Sequence, residues 1–360
     1  MNQSRRCINC ILPETFPGIR FDKTGLCSAC SSWKNTKKCL TKKSKRTLDK
    51  IIQDYKGKTP KYDVIVGLSG GKDSSYTAYY LKKRYDLKIL GINYDIGYRS
   101  DYALKNIELL CDQLDIALIT LRPNRTLLKK LFTHFLREHG EFCSVCNNLG
   151  YLIAASLSWR EKNCLGFPPL MVGGWSKRYE FQQSVSVTSM KYFFENLTPE
   201  LLEELLEEPF IEKDVVREFT SLNDPRQAQI GTEQNKRLGE YAMHFVQLPD
   251  YVEWSVREIP HILSSELGWV HPSDTHESHF DCVLFPIKEY LKFKKYGLTQ
   301  ETIKNSVLIR EGHMTRTEAL ERVSLEQRTA PKIMEKLLKD LNITREDINW
   351  DGEWSTGGDF

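Results

Sequence analysis

The run Ser69-Gly70-Gly71-Lys72-Asp73-Ser74-Ser75 is the part of this 360-residue chain best suited to hold phosphate. Gly70 and Gly71 let the backbone approach an anion closely, Ser69, Ser74 and Ser75 add hydroxyl donors, and Lys72 adds a point charge. Asp73 would repel a bare phosphate, so its expected role is to hold Mg2+ bridging the phosphates. The spacing is neither the Walker A pattern G-x-x-x-x-G-K-S/T nor the dinucleotide fingerprint G-x-G-x-x-G. The plain alternative is a strand-to-helix turn that happens to be rich in small residues.

The cysteines offer two further chemistries. Cys7-x-x-Cys10 and Cys27-x-x-Cys30 form two tight pairs separated by sixteen residues, the pattern of a closed, tetrahedral structural Zn2+ site; iron or a redox role are the alternatives. Cys143-x-x-Cys146 stands before a helical stretch, where a loop after a strand end would overhang a ligand crevice. Such a pair could carry sulfur as a persulfide. It could also supply two of three ligands to an iron–sulfur cluster, with Cys282 or Cys164 as the third, or be two cysteines of a helix cap. Close to Cys282 lie His271, His276, His279 and Asp281, whose spacing fits no helix face and reads as solvated loop histidines. Cys39 and Cys111 look unremarkable.

The elements that must position these groups follow from hydrophobic periodicity. Apolar runs at 63–68, 87–94, 116–121 and 169–174 alternate with helical patterns at 75–85, 101–114, 126–137 and 147–162. That alternation predicts an α/β fold with a parallel sheet covered on both faces, and sets the phosphate loop between the first strand and its helix. Gly173 and Gly174, ending the fourth run, would let nucleotide or substrate lie close to the backbone. Helical patterns then recur at 197–208, where Thr198 caps and Pro199 opens, and at 213–219, 233–245, 256–266, 287–295, 299–307 and 315–323. The expected organisation is a zinc ribbon at 1–33, a basic linker and helix at 34–60, an α/β nucleotide domain at 61–185 and a helical substrate or partner domain at 186–360. Between Lys34 and Lys50 the basic residues Lys34, Lys37, Lys38, Lys42, Lys43, Lys45, Arg46 and Lys50 are offset only by Asp49, which reads as a solvated stretch and, in the alternative, as a contact for a polyanion.

Three regions together resemble one group of enzymes. SGGKDSS after a buried strand looks like the PP-loop of the N-type ATP pyrophosphatases, whose fold is adenine nucleotide alpha hydrolase-like. CINCILPETFPGIRFDKTGLCSAC at the N-terminus, and the segment from Gly268-Trp269 through HESHF to KKYGLTQETIKNSVLIREGHMTRTEALERV, resemble the N-acetyl sugar amidotransferases of bacterial surface-polysaccharide biosynthesis. The resemblance implies cleavage of ATP to AMP and pyrophosphate, adenylation of a carbonyl or amide oxygen on a sugar-like small molecule, and its replacement by nitrogen from an ammonia-donor protein. The implied ATP contacts are Ser69 to Ser75, Gly173 and Gly174, with Lys72 and Asp73 catalytic. The chain departs from that pattern at Cys143, Cys146 and Cys282, which look instead like the three cysteines of iron–sulfur tRNA thiolation enzymes. Those three are then catalytic candidates on a 4Fe–4S cluster, and the alternative is a sulfurtransferase acting on tRNA or a small molecule with a sulfur-donor protein. A non-catalytic nucleotide-binding interaction protein is the remaining reading.

Bulk properties narrow the classes. With 40% hydrophobic and 28% charged residues the chain can bury a core, and 51 basic against 48 acidic residues leave no chain-wide field for nucleic acid. No stretch approaches the roughly 20 apolar residues of a membrane helix, and the first residues lack a signal-peptide core, so no membrane partner and a cytoplasmic location are expected.

Overall fold

A computed structural model describes residues 5–36, 42–161, 170–174, 187–221, 244–255, 258–272, 280–324 and 329–351. Cys39, Cys164, His276, His279 and residues 37–41 of the expected 34–60 linker and helix lie outside that description, as do the side chains of 34–44.

Five parallel strands form one sheet in the order β3-β2-β1-β4-β5. They are β1 (Val64–Gly67), β2 (Ile89–Tyr94), β3 (Ala117–Leu121), β4 (Leu170–Gly173) and β5 (His244–Gln247). The first four match the apolar runs of the sequence; β1, β2 and β4 are covered on both faces and so can be aliphatic throughout, whereas the edge strand β3 leaves Ala117, Leu118 and Thr120 exposed. The two faces separate by the period of two. Val64 and Val66 pack with Ala78 and Leu81 of α3 (Lys72–Tyr85), with Ile107 and Leu110 of α4 (Asp101–Leu114), and with Leu263 of α10 (Glu258–Leu267). Ile65 packs on the opposite face with Phe132 and Phe135 of α5 (Arg125–His139) and Leu152 of α6 (Cys143–Glu161).

Local signals set most of the helix ends. Ser100 Oγ accepts the Ala103 N–H at 3.1 Å to start α4, and Asn124 Oδ1 accepts from Thr126 and Leu127 to start α5. Thr198 Oγ1 accepts the Leu201 N–H at 3.3 Å ahead of α8 (Pro199–Leu206), as expected. Two expectations are corrected. The helix expected from 147 begins at Cys143, so the C-x-x-C pair forms the first turn of α6 instead of a preceding loop. Glu141 explains it, accepting the Ser144 N–H at 3.0 Å and its hydroxyl, which pulls the start of the helix back four residues. Of the helical pattern at 233–245, only its last two residues are described, and they open β5. Pairing of His244 with Leu170 and Phe245 with Met171 overrides any periodicity in so short a segment.

The far half of the chain therefore completes the sheet, and it also supports the N-terminus. Ile11 packs with Leu308 of α12 (Gln300–Glu311) and Ala319 of α13 (Arg316–Ser324). Arg316 donates to the Cys7 and Cys10 carbonyls at 3.3 Å, and Thr15 Oγ1 donates to the Tyr296 carbonyl at 2.6 Å. The Tyr296 carbonyl ends α11 (Phe285–Tyr296). Among the described residues no helix is long and apolar enough to cross a membrane.

Candidate active site

The loop between β1 and α3 is wound on itself by its own hydroxyls. Ser74 Oγ donates to the Gly71 carbonyl at 3.1 Å and accepts the Ser69 N–H at 3.2 Å, while the Gly71 N–H reaches Ser69 Oγ at 3.3 Å. Gly70 sits at φ +77°, and a Cβ there would stand 2.1 Å from the Ala103 carbonyl oxygen. No other residue type can occupy that position without moving helix α4. Its own carbonyl accepts the Trp269 indole N–H at 3.2 Å and the Asn106 amide at 3.3 Å. Gly174, just past β4, is equally crowded: a Cβ would lie 2.3 Å from the Asp73 carbonyl. Lys72, the first residue of α3, is buried and pairs with Asp73 Oδ1, which also accepts the Trp254 indole N–H at 3.1 Å. The outcome is a rigid strand–loop–helix turn whose N–H groups and helix dipole face an open space, the arrangement that takes phosphate.

That space is a cavity of about 320 Å³ at the carboxyl ends of β1, β2 and β4. Ser69, Gly71, Lys72, Asp73, Ser74 and Gly174 line one side. Cys143 and Cys146 of α6 and Cys282, ahead of α11, line the same cavity, so the three cysteines singled out in sequence converge with the phosphate loop. Gly173, Gly70 and Ser75 are not on its wall; Gly173 pairs with Gln247 in the sheet, and Ser75 Oγ accepts from Trp269 at 3.2 Å.

The three thiols are partly buried and line the cavity. Burial raises the Cys143 thiol to about 12, with the Lys288 ammonium opposing the shift. Burial, then the neighbouring Cys143 and Cys282, pushes Cys146 well above the usual thiol range, and burial likewise raises Cys282. As free thiols they are protonated and weak nucleophiles at neutral pH; a bound cation would be needed to make them thiolates. Arg99 and Lys288, on the same wall, supply positive charge around them. Three thiols in one pocket flanked by cations suit a cluster held by three cysteines, whose ligands bind different irons and so stand farther apart than those of a single ion.

At the N-terminus the four sulfurs of Cys7, Cys10, Cys27 and Cys30 lie within 4.8 Å of one another and are all buried. Cys7 and Cys30 are 3.9 Å apart, Cys10 and Cys27 3.7 Å. Sulfurs about 2.3 Å from one Zn2+ at tetrahedral angles stand about 3.8 Å apart, so the residues fit that ion.

Sequence reading gave no site role to Trp254, Trp269, Asn106, Arg99 or Lys288, although Trp269 and Lys288 fall within the C-terminal segment that carries the resemblance; none belongs to a recognisable spacing, and only Asp281 among the added neighbours had been noted as ligand-type.

Comparison with known proteins adds to the geometry. Residues 276–350, which supply Asp281, Cys282 and Lys288, match the family described as LPS biosynthesis protein WbpG-like, C-terminal domain. A tRNA-specific 2-thiouridylase from Chlamydia abortus is 34% identical over 88 residues, 22% of this chain and 24% of that protein. The chain thus spans about a quarter of that curated relative. Joined to the strand, Ser-Gly-Gly-Lys-Asp-Ser loop and helix, these partial matches agree with a PP-loop. The chain is similar to the PP-loop ATP pyrophosphatases. Solved structures similar to this protein include the U34-tRNA thiolase NcsA from Methanococcus maripaludis with its 4Fe–4S cluster, at TM-score 0.36 and 16% identity, over 92% of this chain and 93% of that one. An NH3-dependent NAD synthetase from Campylobacter jejuni has TM-score 0.31 and 14% identity, over 52% of this chain and 77% of that one.

Proposed function

We propose that this protein adenylates a carbonyl or amide oxygen of an N-acetyl sugar-like acceptor and replaces that oxygen with nitrogen. The observation that supports this reading is that the phosphate loop and the WbpG-like segment wall one cavity, lined by Asp281, Cys282, Leu284, Phe285 and Lys288 together with Ser69 and Gly71 to Ser74. ATP lies with its β- and γ-phosphates on the loop. Ser69, Ser74 and the backbone N–H groups bind them, and Lys72 neutralises charge that develops on the departing pyrophosphate. Asp73 would hold Mg2+, which when bound would supply positive charge to the leaving pyrophosphate. The acceptor oxygen attacks the α-phosphorus, the bond to the bridging oxygen breaks, and pyrophosphate leaves. Ammonia then adds to the activated carbon, a proton is lost, and AMP departs with the original oxygen. Residues 186–360 are assigned to the acceptor and to a donor protein. Product analysis with acceptor and ammonia tests the reading: AMP and pyrophosphate are expected in equal amounts, and ADP with phosphate refutes it. A protein that binds ATP and releases neither is a nucleotide-binding module.

A second reading, sulfur transfer to tRNA or a small molecule, is favoured by the convergence of Cys143, Cys146 and Cys282. A three-cysteine cluster would bring sulfide to the same activated carbon. Protein purified without oxygen separates the two. Under the nitrogen reading it is colourless and free of iron and sulfide, and Cys143→Ser, Cys146→Ser and Cys282→Ser keep full ammonia-dependent turnover. Brown protein containing iron and sulfide, with product lost in all three variants, establishes sulfur transfer instead.

A further inference from the structure

Asp281 has no part in the reaction just described, yet its carboxylate closes over the phosphate loop. A Cβ built on Gly71 would stand 3.0 Å from Asp281 Cγ and 3.1 Å from its Oδ2. The segment that carries it is fastened down. The Ser100 N–H donates to the Asp281 carbonyl at 3.2 Å, the Val283 N–H donates to the Tyr98 carbonyl at 2.9 Å, and Arg99 and Cys282 form an antiparallel bridge. The Arg99 guanidinium lies 3.6 Å from Asp281 Oδ2 and aims it. A negative charge is therefore held by backbone pairing and an ion pair against N–H groups whose chemistry is to receive negative charge.

A polyphosphate entering the loop must meet that carboxylate. Alone, the two repel in a partly enclosed site where charges are weakly screened. With a hard divalent cation between them, the same carboxylate becomes a ligand. Asp73 is the other carboxylate on the cavity wall, and its Oδ1 already takes both Lys72 and Trp254.

We infer that Asp281, brought in by the C-terminal segment, is a second Mg2+-facing carboxylate and the group that makes nucleotide binding conditional on the metal. The inference rests on the ATP reading above and assigns Asp281 a sign-dependent role: attractive with metal, repulsive without it. A residue that only anchored Arg99 would have one effect in both conditions.

The test is calorimetric binding of α,β-methylene-ATP to the full chain, once with saturating Mg2+ and once with EDTA, after confirming that each variant melts as a folded protein. In the wild type Mg2+ should tighten binding. Asp281→Asn should weaken the Mg2+ complex roughly tenfold and tighten binding in EDTA several-fold. Asp281→Glu, which keeps the charge and the Arg99 pair, should retain the metal dependence and serves if the asparagine variant is unstable. Equal shifts of the same sign in both conditions, no shift in either, a wild type indifferent to Mg2+, or a glutamate variant that has lost the dependence each overturns the assignment. A wild type that binds the analogue under neither condition takes down the ATP reading as well.

Discussion

Gly70→Ala is expected to cut pyrophosphate release by at least about 100-fold, the scale of loss when reacting groups are misplaced by about an ångström. Two independent obstacles act at this position. The backbone φ of +77° is costly for any residue with a Cβ, and the added carbon would overlap the Ala103 carbonyl oxygen at 2.1 Å. Relief requires the loop to leave α4, which breaks the Trp269 and Asn106 bonds to the Gly70 carbonyl and scatters the phosphate-binding N–H groups. Gly268→Ala is the control, because Gly268 has φ +72° but nothing within 4 Å of its would-be Cβ. That substitution should cost only about 1 kcal/mol of stability and leave turnover intact. Equal activities of the two variants would show that the loop does not hold the phosphates.

Cys10→Ser is expected to remove one equivalent of Zn2+ and, with it, metal-binding energy on the order of 10 kcal/mol that holds the N-terminal segment together. The sequence suggests a self-contained ribbon whose loss would leave the rest untouched. The structure widens the effect. Thr15 on the end of α11, a helix that lines the cavity, Ser306 Oγ on the Ile11 N–H and Arg316 on the Cys7 and Cys10 carbonyls tie the ribbon to α11, α12 and α13. Metal analysis together with hydrogen exchange should show protection lost in the first thirty residues and lowered in α11 to α13. Full zinc content in the variant, or unchanged exchange after the metal is gone, counts against a structural zinc site.

The strands, the loop at 69–75 and its helix were readable because their signals are local. Aliphatic runs, two adjacent glycines and a lysine at a helix start specify a strand, a phosphate loop and a helix without any long-range information. The paired cysteines were readable for the same reason, although Cys143 and Cys146 turned out to open a helix because Glu141 caps it from upstream. What could not be read is whatever depends on distant segments meeting. His244 to Gln247 become a strand only beside β4, and Trp254, Trp269, Arg99 and Asp281 acquire roles only from their neighbours in space. Nothing in the spacing of single tryptophans or arginines marks them.

The indole contacts on the phosphate loop also bear on how the protein comes to be made. Trp254 reaches Asp73 across 181 residues of chain and Trp269 reaches Gly70 across 199, while β5 and the Asp281 segment come from the same late stretch. During synthesis at roughly 5–20 residues per second, the loop emerges about 10–40 s before its braces exist. Until then the sheet can hold at most four of its strands, with β4 lacking its neighbour β5 and the loop unsupported. Such long-range closure is slow even in the finished chain. Competence to grip ATP is thus acquired late, as a property of the completed polypeptide.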